Sequence, residues 1–565
     1  MTKKKGIPQI AVEELKSILN NAIEYRTLAE QTANIKKNLL LVLSAIAFML
    51  LTLEAYTIEK LFPCIYACVC IILISSQISG LKEKFADVPL LIKIYAFISA
   101  FGICFNTSAR NIQISGFQGT VYHIAIVILS LLSFVSIFLL TALFLDWLVK
   151  TIRPAFASLS RAELAVFILL AVILLSFSAY SFFKSNLFWG PPAHCSYDLL
   201  YTSDTPSIVA ENAYLTLYHT ENDLRQPLFS VFAAPLIGAF YAVSLPFSYI
   251  SPIFTPLFLN TVQILMLLTA DLLLAKALAS DKLTSICFMA VSAFTYTTLL
   301  SSLMMEQYIV GYFYLILAIY SYITHHRASA LSITAATGTL LTSALIMPLG
   351  YANDTAPSDR VRAAISALER TVLTFVIVLL AFGRFDVVLD LVTRLGILLG
   401  FAGGGKSQGC FNQFTAFVSS CFAAPDAAAV TDASGYPTWQ LTDRYITDIS
   451  ITGCILLALC IISVIINRKS AITRIAALWT MFSVVLLGIV GWGATENGMI
   501  LYSLYFCWAY LVLLFQLVKW LSEKLSAKPL TVIASCAAMI VLGIINLNGM
   551  EKLLGFAFTE YPFSW

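Results

Sequence analysis

The stretch Arg225-Gln-Pro-Leu-Phe-Ser-Val-Phe-Ala-Ala-Pro235-Leu-Ile-Gly-Ala-Phe-Tyr-Ala-Val-Ser-Leu245-Pro246 decides the fold. It is apolar over nearly the ~20 residues that cross a bilayer core, yet Pro227, Pro235 and Pro246 punctuate it. If it crossed, Lys276 and Lys282 would face outward, against the excess of Lys and Arg that marks cytoplasmic loops. It is therefore read as a juxtamembrane helix lying on the outer surface. That choice fixes the sidedness of every later span.

Around it, the chain of 565 residues is 59% hydrophobic and only 12% charged, with a mean hydropathy of +0.86. A soluble chain would carry roughly twice that charge. A net charge of +3 gives no reason to expect a nucleic-acid partner. Apolar runs occur at 38–56, 62–80, 88–106, 121–149 and 164–183. They resume at 251–275, 283–303, 307–324, 328–350, 366–383, 450–466, 472–493, 499–518 and 530–547. With the N-terminus in the cytoplasm, Lys82/Lys84, Lys150/Arg153/Arg161, Lys276/Lys282, Arg327, Arg468/Lys469/Arg474 and Lys519/Lys524/Lys528 all fall inside. Loops 184–250 and 405–449 then lie outside.

A full crossing at 328–350 would carry Arg360, Arg362 and Arg370 outside. This Thr-rich run, ending in Met347-Pro348, is read instead as a re-entrant hairpin. Irregular backbone at membrane depth is tolerated where protein buries it or it lines a cavity. The expected fold is an all-α polytopic membrane protein of about 13 transmembrane helices, with an outer juxtamembrane helix, a re-entrant hairpin and two extracytoplasmic loops.

The chain divides into four parts. Residues 1–37 form a basic, amphipathic segment, too long and charged for a signal n-region, read as a cytoplasmic surface helix. Residues 38–161 form a four-helix accessory unit ending in the basic linker Lys150-Thr-Ile-Arg153 to Arg161. Residues 162–400 hold a core with outer loop 184–250, and 401–565 hold loop 405–449 and the C-terminal helices. No internal repeat is obvious, which weakens an inverted-repeat transporter reading. Most of the 12 cysteines lie in apolar spans, where Cys behaves as a small hydrophobe. Cys195, Cys410 and Cys421 lie in loops, and Cys410 and Cys421 are candidates to pair in an oxidising compartment.

Polar chemistry concentrates in the first long loop, in Tyr201-Thr-Ser-Asp204-Thr-Pro206, then Glu211, then Glu221-Asn-Asp223-Leu-Arg225-Gln226-Pro227. A lipid-soluble protein that gathers acids, an arginine and aromatic residues at the membrane's edge is expected to act on something held there.

This layout resembles the GT-C superfamily, the membrane glycosyltransferases that use polyprenyl-phosphate-linked sugars. In that family a core helix leads into a large outer loop carrying an essential acid, and a juxtamembrane helix opened by a Pro-Leu turn follows. The resemblance covers roughly 162–400. It implies that Asp204 is the acid, that Arg225-Gln226-Pro227-Leu228-Phe229 is the turn, and that Glu306 is the acid at the outer end of a later helix. Gln226 departs from the His or Lys often found before the Pro-Leu, and the first four spans have no counterpart in the minimal core. The implied reaction is an inverting transfer of sugar from a polyprenyl-phosphate donor to an extracytoplasmic glycan or glycolipid. It would occur on the periplasmic side of a bacterial inner membrane, with membrane lipid around the site.

Such a transfer needs a base to take the acceptor hydroxyl's proton as the anomeric carbon is attacked. Asp204 fills that role. The leaving phosphate needs positive charge, best from the planar donor fork of Arg. Arg225 is the first candidate, with Arg384 and Arg444 in reserve; Gln226, Tyr201, Glu211 and Glu306 are further substrate contacts. No metal site is expected, since HExxH, CxxC and DxD are absent and His325-His326 lack a partner cluster. A lipid-monophosphate donor requires no metal cofactor, and a role for a divalent metal is left open.

Each residue also has an ordinary reading. Outer-loop acids are commonly just solvated, and Asp223 suits pairing with Arg225 or capping the surface helix. Glu306 suits the N-terminal end of a helix. Tyr201, Tyr214, Tyr218 and Trp189 suit an interfacial aromatic belt. Arg384-Phe-Asp386-Val-Val-Leu-Asp390-Leu-Val-Thr-Arg394 places charges on one helical face, either as a charged rim or as an amphipathic surface helix. Gly403-Gly404-Gly405-Lys406 lacks P-loop spacing and reads as a hinge. Tyr436 to Tyr445 reads as an acceptor-side lid. Two rivals stand: an O-antigen ligase or polymerase relying on late-loop arginines such as Arg444, and a lipid or glycan transporter indifferent to Asp204→Asn.

Overall fold

The computed structural model describes residues 28–52, 58–77, 81–114, 119–190, 199–201, 203–217, 225–278, 281–325, 330–343, 359–384, 387, 396, 407–431, 435–493, 498–527 and 529–563. The apolar runs are helical, because backbone in lipid has to satisfy its own N–H and C=O groups. The first helices are α1 (Leu28–Lys37), α2 (Leu39–Leu51), α3 (Ile58–Gln77), α4 (Leu81–Ala86), α5 (Leu90–Ile114), α6 (Thr120–Ala157) and α7 (Arg161–Lys184). Next come α8 (Thr205–Ala210), α9 (Phe229–Ser248), α10 (Phe254–Leu278), α11 (Lys282–Ala293), α12 (Tyr296–Leu303), α13 (Tyr308–His325), α14 (Ala330–Thr339) and α15 (Arg360–Ala381). The chain continues with α16 (Ser407–Ser420), strands β1 (Ala427–Thr431) and β2 (Pro437–Leu441), α17 (Asp443–Thr447), α18 (Ile451–Asn467), α19 (Ala471–Ser483), α20 (Ser503–Lys524) and α21 (Leu530–Glu560).

The molecule is an all-α polytopic membrane protein with one small antiparallel hairpin, β1–β2. Among the described residues eight helices are long and apolar enough to cross a membrane, or ten if the bent pairs α1–α2 (68°) and α11–α12 (59°) each count once. The larger expected number, about 13, had included runs that fold as shorter apolar helices, in α3, α13, α15 and α18. Hydropathy of a run does not fix the length of the helix that it forms.

The helix expected after Pro227 is present, and two other expectations change. Phe229–Ser248 is one continuous helix of 20 residues, itself long and apolar enough to span, with Pro235 and Pro246 carried inside it. It is also pinned to a neighbouring helix: Ser99 on α5 donates to the carbonyls of Ala234 and Pro235 at 3.2 and 3.1 Å. Only glycine fits at position 238, where a Cβ would meet Ser99 Oγ at 2.6 Å. Loop 405–449, read as irregular, contains α16, the hairpin and α17. Cys410 and Cys421 are buried thiols not joined in a disulfide. Cys410 lies on α16 and Cys421 just beyond it, about 16 Å away at the helical rise, far outside disulfide reach. Burial pushes the Cys421 thiol up. The basic segment 1–37 is described only from Leu28, and the return limb of the 328–350 run, Cys195, Asp223, Asp386, Asp390, Arg394 and Gly403–Lys406 lie outside the described residues.

The chain forms two compact units. The first comprises Met1–Thr151, Leu215–Val243 and Ile333–Asp390; the second comprises Ile152–Tyr214, Ser244–Ser332 and Leu391–Trp565. In the first unit α3 packs on α1, α2 and α15. In the second, α10 packs on α7, α11, α12 and α13, while α20 packs on α13, α18 and α19. Apolar side chains such as Ile533, Ile540 and Ile544 of α21 are exposed, whereas polar ones turn inward. Asn260, Gln263 and Asp271 lie on one buried face of α10. Asn260 donates to Ser178 Oγ (2.7 Å) and the Ser302 carbonyl (2.8 Å), and Asp271 accepts from Tyr312 (2.7 Å) and Ser292 (2.9 Å). At the far end of α10, Lys276 pairs with fully buried Glu163 at 2.6 Å, and Glu163 also completes a capping box with Ser160. The start of α7 is thereby tied to the end of α10.

Candidate functional site

In the second unit, the segment after the first core helix builds an acid cluster. Pro206 presets the first turn of α8, which leaves Asp204 at the N-cap position. Its half-buried carboxylate makes no capping hydrogen bond. The next residue, Thr205, is buried and donates to Glu306 Oε1 at 3.4 Å. Glu306 is itself buried, in the break between α12 and α13 and two residues before α13 begins, where a helix N-terminus favours negative charge. Gln263 of α10 fixes that break, donating to the Glu306 carbonyl at 2.6 Å and to the Tyr214 hydroxyl at 2.7 Å. Burial and the charge of Glu306 raise the Tyr214 hydroxyl well above its ordinary range, so Tyr214 stays protonated. Glu211 closes α8 as its C-cap residue. The structure thus sets Thr205, the residue after Asp204, on the Glu306 carboxylate, and joins the Glu306 backbone to the Tyr214 hydroxyl through Gln263.

Tyr201 sits beside this cluster in an unusual state. Its φ of 50° lies in the left-handed region, which costs a non-glycine residue on the order of 1–2 kcal/mol. The strain is held by pairing with β2: Tyr201 N–H donates to the Trp439 carbonyl (3.1 Å), and Trp439 N–H to the Leu199 carbonyl (2.9 Å). Its hydroxyl meets Tyr296 at 2.8 Å and accepts from Trp439 Nε1 at 3.0 Å. Burial pushes that hydroxyl up to about 12. The ring is 1% exposed, so it offers no open face for stacking. Tyr201 therefore positions the loop, joining the Asp204 segment to the late hairpin. Arg444, on α17 just after that hairpin, is exposed while its neighbour Tyr445 is buried.

The remaining predicted residues belong to the first unit. Arg225 and buried Gln226 lead into the Pro-Leu turn, which docks along α14: Leu228 N–H donates to the Gly338 carbonyl at 2.8 Å, and Leu341 N–H to the Arg225 carbonyl at 3.2 Å. A Cβ at Gly338 would meet Leu228 at 2.6 Å, so this close approach requires glycine. Arg384, just past the end of α15, is 1% exposed and donates to the Leu217 carbonyl at 3.0 Å. Arg110 of α5 donates to the adjacent residue, Thr216, at 3.3 Å. Two arginines thus converge on Thr216 and Leu217, beside a small polar pit lined by Thr52, Asn106 and Asn111.

Sequence reasoning missed Arg110, Gln263 and Asp271. Each had a signal: Asn106-Thr-Ser-Ala-Arg110-Asn111 is a polar run ending an apolar helix, and Asn260, Gln263 and Asp271 share a helical face within an apolar run. Among the described residues no group of three His, Cys, Asp or Glu is arranged to hold a metal ion. Compared with protein-family models, with characterised proteins and with solved structures, the chain has no match.

Proposed function

We propose that this protein is an inverting membrane glycosyltransferase. It moves a sugar from a polyprenyl-phosphate donor to a glycan or glycolipid acceptor on the extracytoplasmic face of a bacterial inner membrane. The observation that carries the reading is the acid cluster: Asp204 adjoins Thr205, which bonds Glu306, and Gln263 ties that break to Tyr214. In this reading Asp204 takes the proton of the attacking hydroxyl as its oxygen bonds to the anomeric carbon. The sugar–phosphate bond breaks on the opposite face, and the phosphate leaves with the electron pair. Glu306 orients the acceptor or donor sugar. The leaving phosphate calls for positive charge, best from the planar donor fork of an arginine.

The test is a reconstituted assay with polyprenyl-phosphate sugars, comparing the unaltered chain with Asp204→Asn. Loss of transfer with the protein still folded supports the base. Normal transfer removes Asp204 from the chemistry, and transport that survives the change favours a carrier. Arg444→Ala added to the same assay separates a ligase, which would lose activity chiefly there.

A further inference from the structure

At the far end of the second unit's bundle lies a cleft of about 310 Å³ that the proposed reaction does not use. It is walled by the ends of α10 (Ala277, Leu278) and α13 (Ile323), by Asn467 and Ser470 between α18 and α19, and by Gln516, Lys519, Trp520 and Glu523 of α20. We propose that it binds the phosphate of an anionic phospholipid headgroup from the leaflet at this end of the molecule.

Four observations converge. Lys519 lines the cleft and forms no ion pair among the described residues. The Gln516 side chain, 9% exposed, also lines it, and its amide has no hydrogen-bond partner among the described residues. Opening on the cleft, that amide takes its hydrogen-bond partner from whatever occupies the cleft, a ligand or water. The N-terminus of the 13-residue α19 opens on the same cleft, with no acid in its first turn and no capping bond from Ser470. Its first amides lack intrahelical acceptors and favour an anion. Finally, exposed Arg468 and Lys469 lie in the chain between the lining residues Asn467 and Ser470, and exposed Lys524 follows Glu523, lying over the Trp520 ring at 4.8 Å. Such a basic, aromatic rim marks the cytoplasmic membrane boundary, where anionic lipids concentrate. Leu278, Ile323 and Ile472 supply an apolar wall suited to the glycerol and upper acyl carbons. Glu523 is the one acid in the lining, so it works against the phosphate.

This proposal does not rest on the glycosyltransferase reading, and Asp204→Asn leaves it intact. The full chain in neutral detergent is titrated with dioctanoyl phosphatidylglycerol, dioctanoyl phosphatidylcholine and inorganic phosphate, read by native mass spectrometry and by Trp520 fluorescence with Trp520→Phe as the blank. Saturable binding of phosphatidylglycerol is expected, with the other two ligands at least about tenfold weaker. Loss of a charge-assisted hydrogen bond is worth about tenfold or more, so Lys519→Ala weakens binding by that factor and Gln516→Leu weakens it less. Glu523→Gln leaves binding unchanged or tightens it. Wild-type affinity in Lys519→Ala overturns the site. Loss in Glu523→Gln with retention in Lys519→Ala would show a cation site instead. Inorganic phosphate bound as tightly as the lipid would show a free-anion site, and the ligand comparison on the unaltered chain stands even if a variant fails to fold.

Discussion

Helix α10 meets two polar regions of opposite character, one at Gln263 and one at Leu278, about 22 Å apart along its axis. At Gln263 the side chains are knit together: one amide holds both Tyr214 and the Glu306 backbone, and the acids sit ahead of α8 and α13. At Leu278 the side chains are spread around an open cleft, with Lys519 and the Gln516 amide unengaged by described residues. The contrast is instructive. A fixed network holds groups where charge develops during a reaction, at no reorganisation cost then. A cleft with unengaged donors needs a ligand to complete it. The first region is closed by its own contacts, and the second stays open to an occupant.

The largest effect that would break this contrast is at Asp204. Asp204→Asn keeps the shape and removes the base, so sugar transfer should fall by about 10²–10⁴, while elution in size-exclusion chromatography and helical circular dichroism stay unchanged. Full transfer by that variant would make the acid cluster an ordinary structural network. Gln263→Leu comes next. It deletes two hydrogen bonds, one to the Tyr214 hydroxyl and one to the Glu306 carbonyl, so a loss of about 2–3 kcal/mol is expected, read as a lowered unfolding midpoint in detergent. Transfer should fall with it, because the break holding Glu306 loosens. If stability falls while transfer is untouched, Glu306 is not part of the site.

Asp271 sharpens the comparison from inside the helix. Its carboxylate is enclosed between two hydroxyls and is far from both ends. Asp271→Asn keeps one oxygen to accept from one hydroxyl and turns an NH2 to the other, which can accept from it, so a change of about 1 kcal/mol or less is expected. Asp271→Leu leaves both hydroxyls without that acceptor and should cost about 2 kcal/mol. Unfolding midpoints of the pair measure this directly. Equal and large losses would show that the negative charge itself matters there.

The framework was legible because lipid imposes a simple rule on sequence: long apolar runs become helices. The break holding Glu306 was also visible, in the polar Met304-Met-Glu-Gln307 interruption between apolar runs. What hydropathy could not resolve was any segment whose neighbours decide its fate. Phe229–Ser248 is legible as a helix, but its contact with Ser99 and the close approach at Gly238 come from a helix more than a hundred residues earlier. The contact of β2 with Leu199–Tyr201 was hidden because the two segments lie more than two hundred residues apart. Tyr201 was readable as an aromatic residue near the site, but its enclosure by Tyr296 and Trp439 comes only from that distant pairing.

That enclosure sets the smallest prediction. Tyr201→Phe keeps the ring and removes the hydroxyl that bridges Tyr296 and Trp439, so it should cost about 1 kcal/mol of stability. A positioning residue of this kind should leave the KM for both substrates unchanged, with at most a small fall in kcat as the Asp204 segment loosens. A sugar-stacking residue would show the reverse, since Phe stacks as well as Tyr while losing only a polar contact to the sugar. A raised KM with an unchanged unfolding midpoint would therefore place Tyr201 against substrate, and would mean that the loop opens further than its pairing with β2 implies. The outcome decides whether the strain at Tyr201 belongs to the scaffold of the acid cluster or to its working surface.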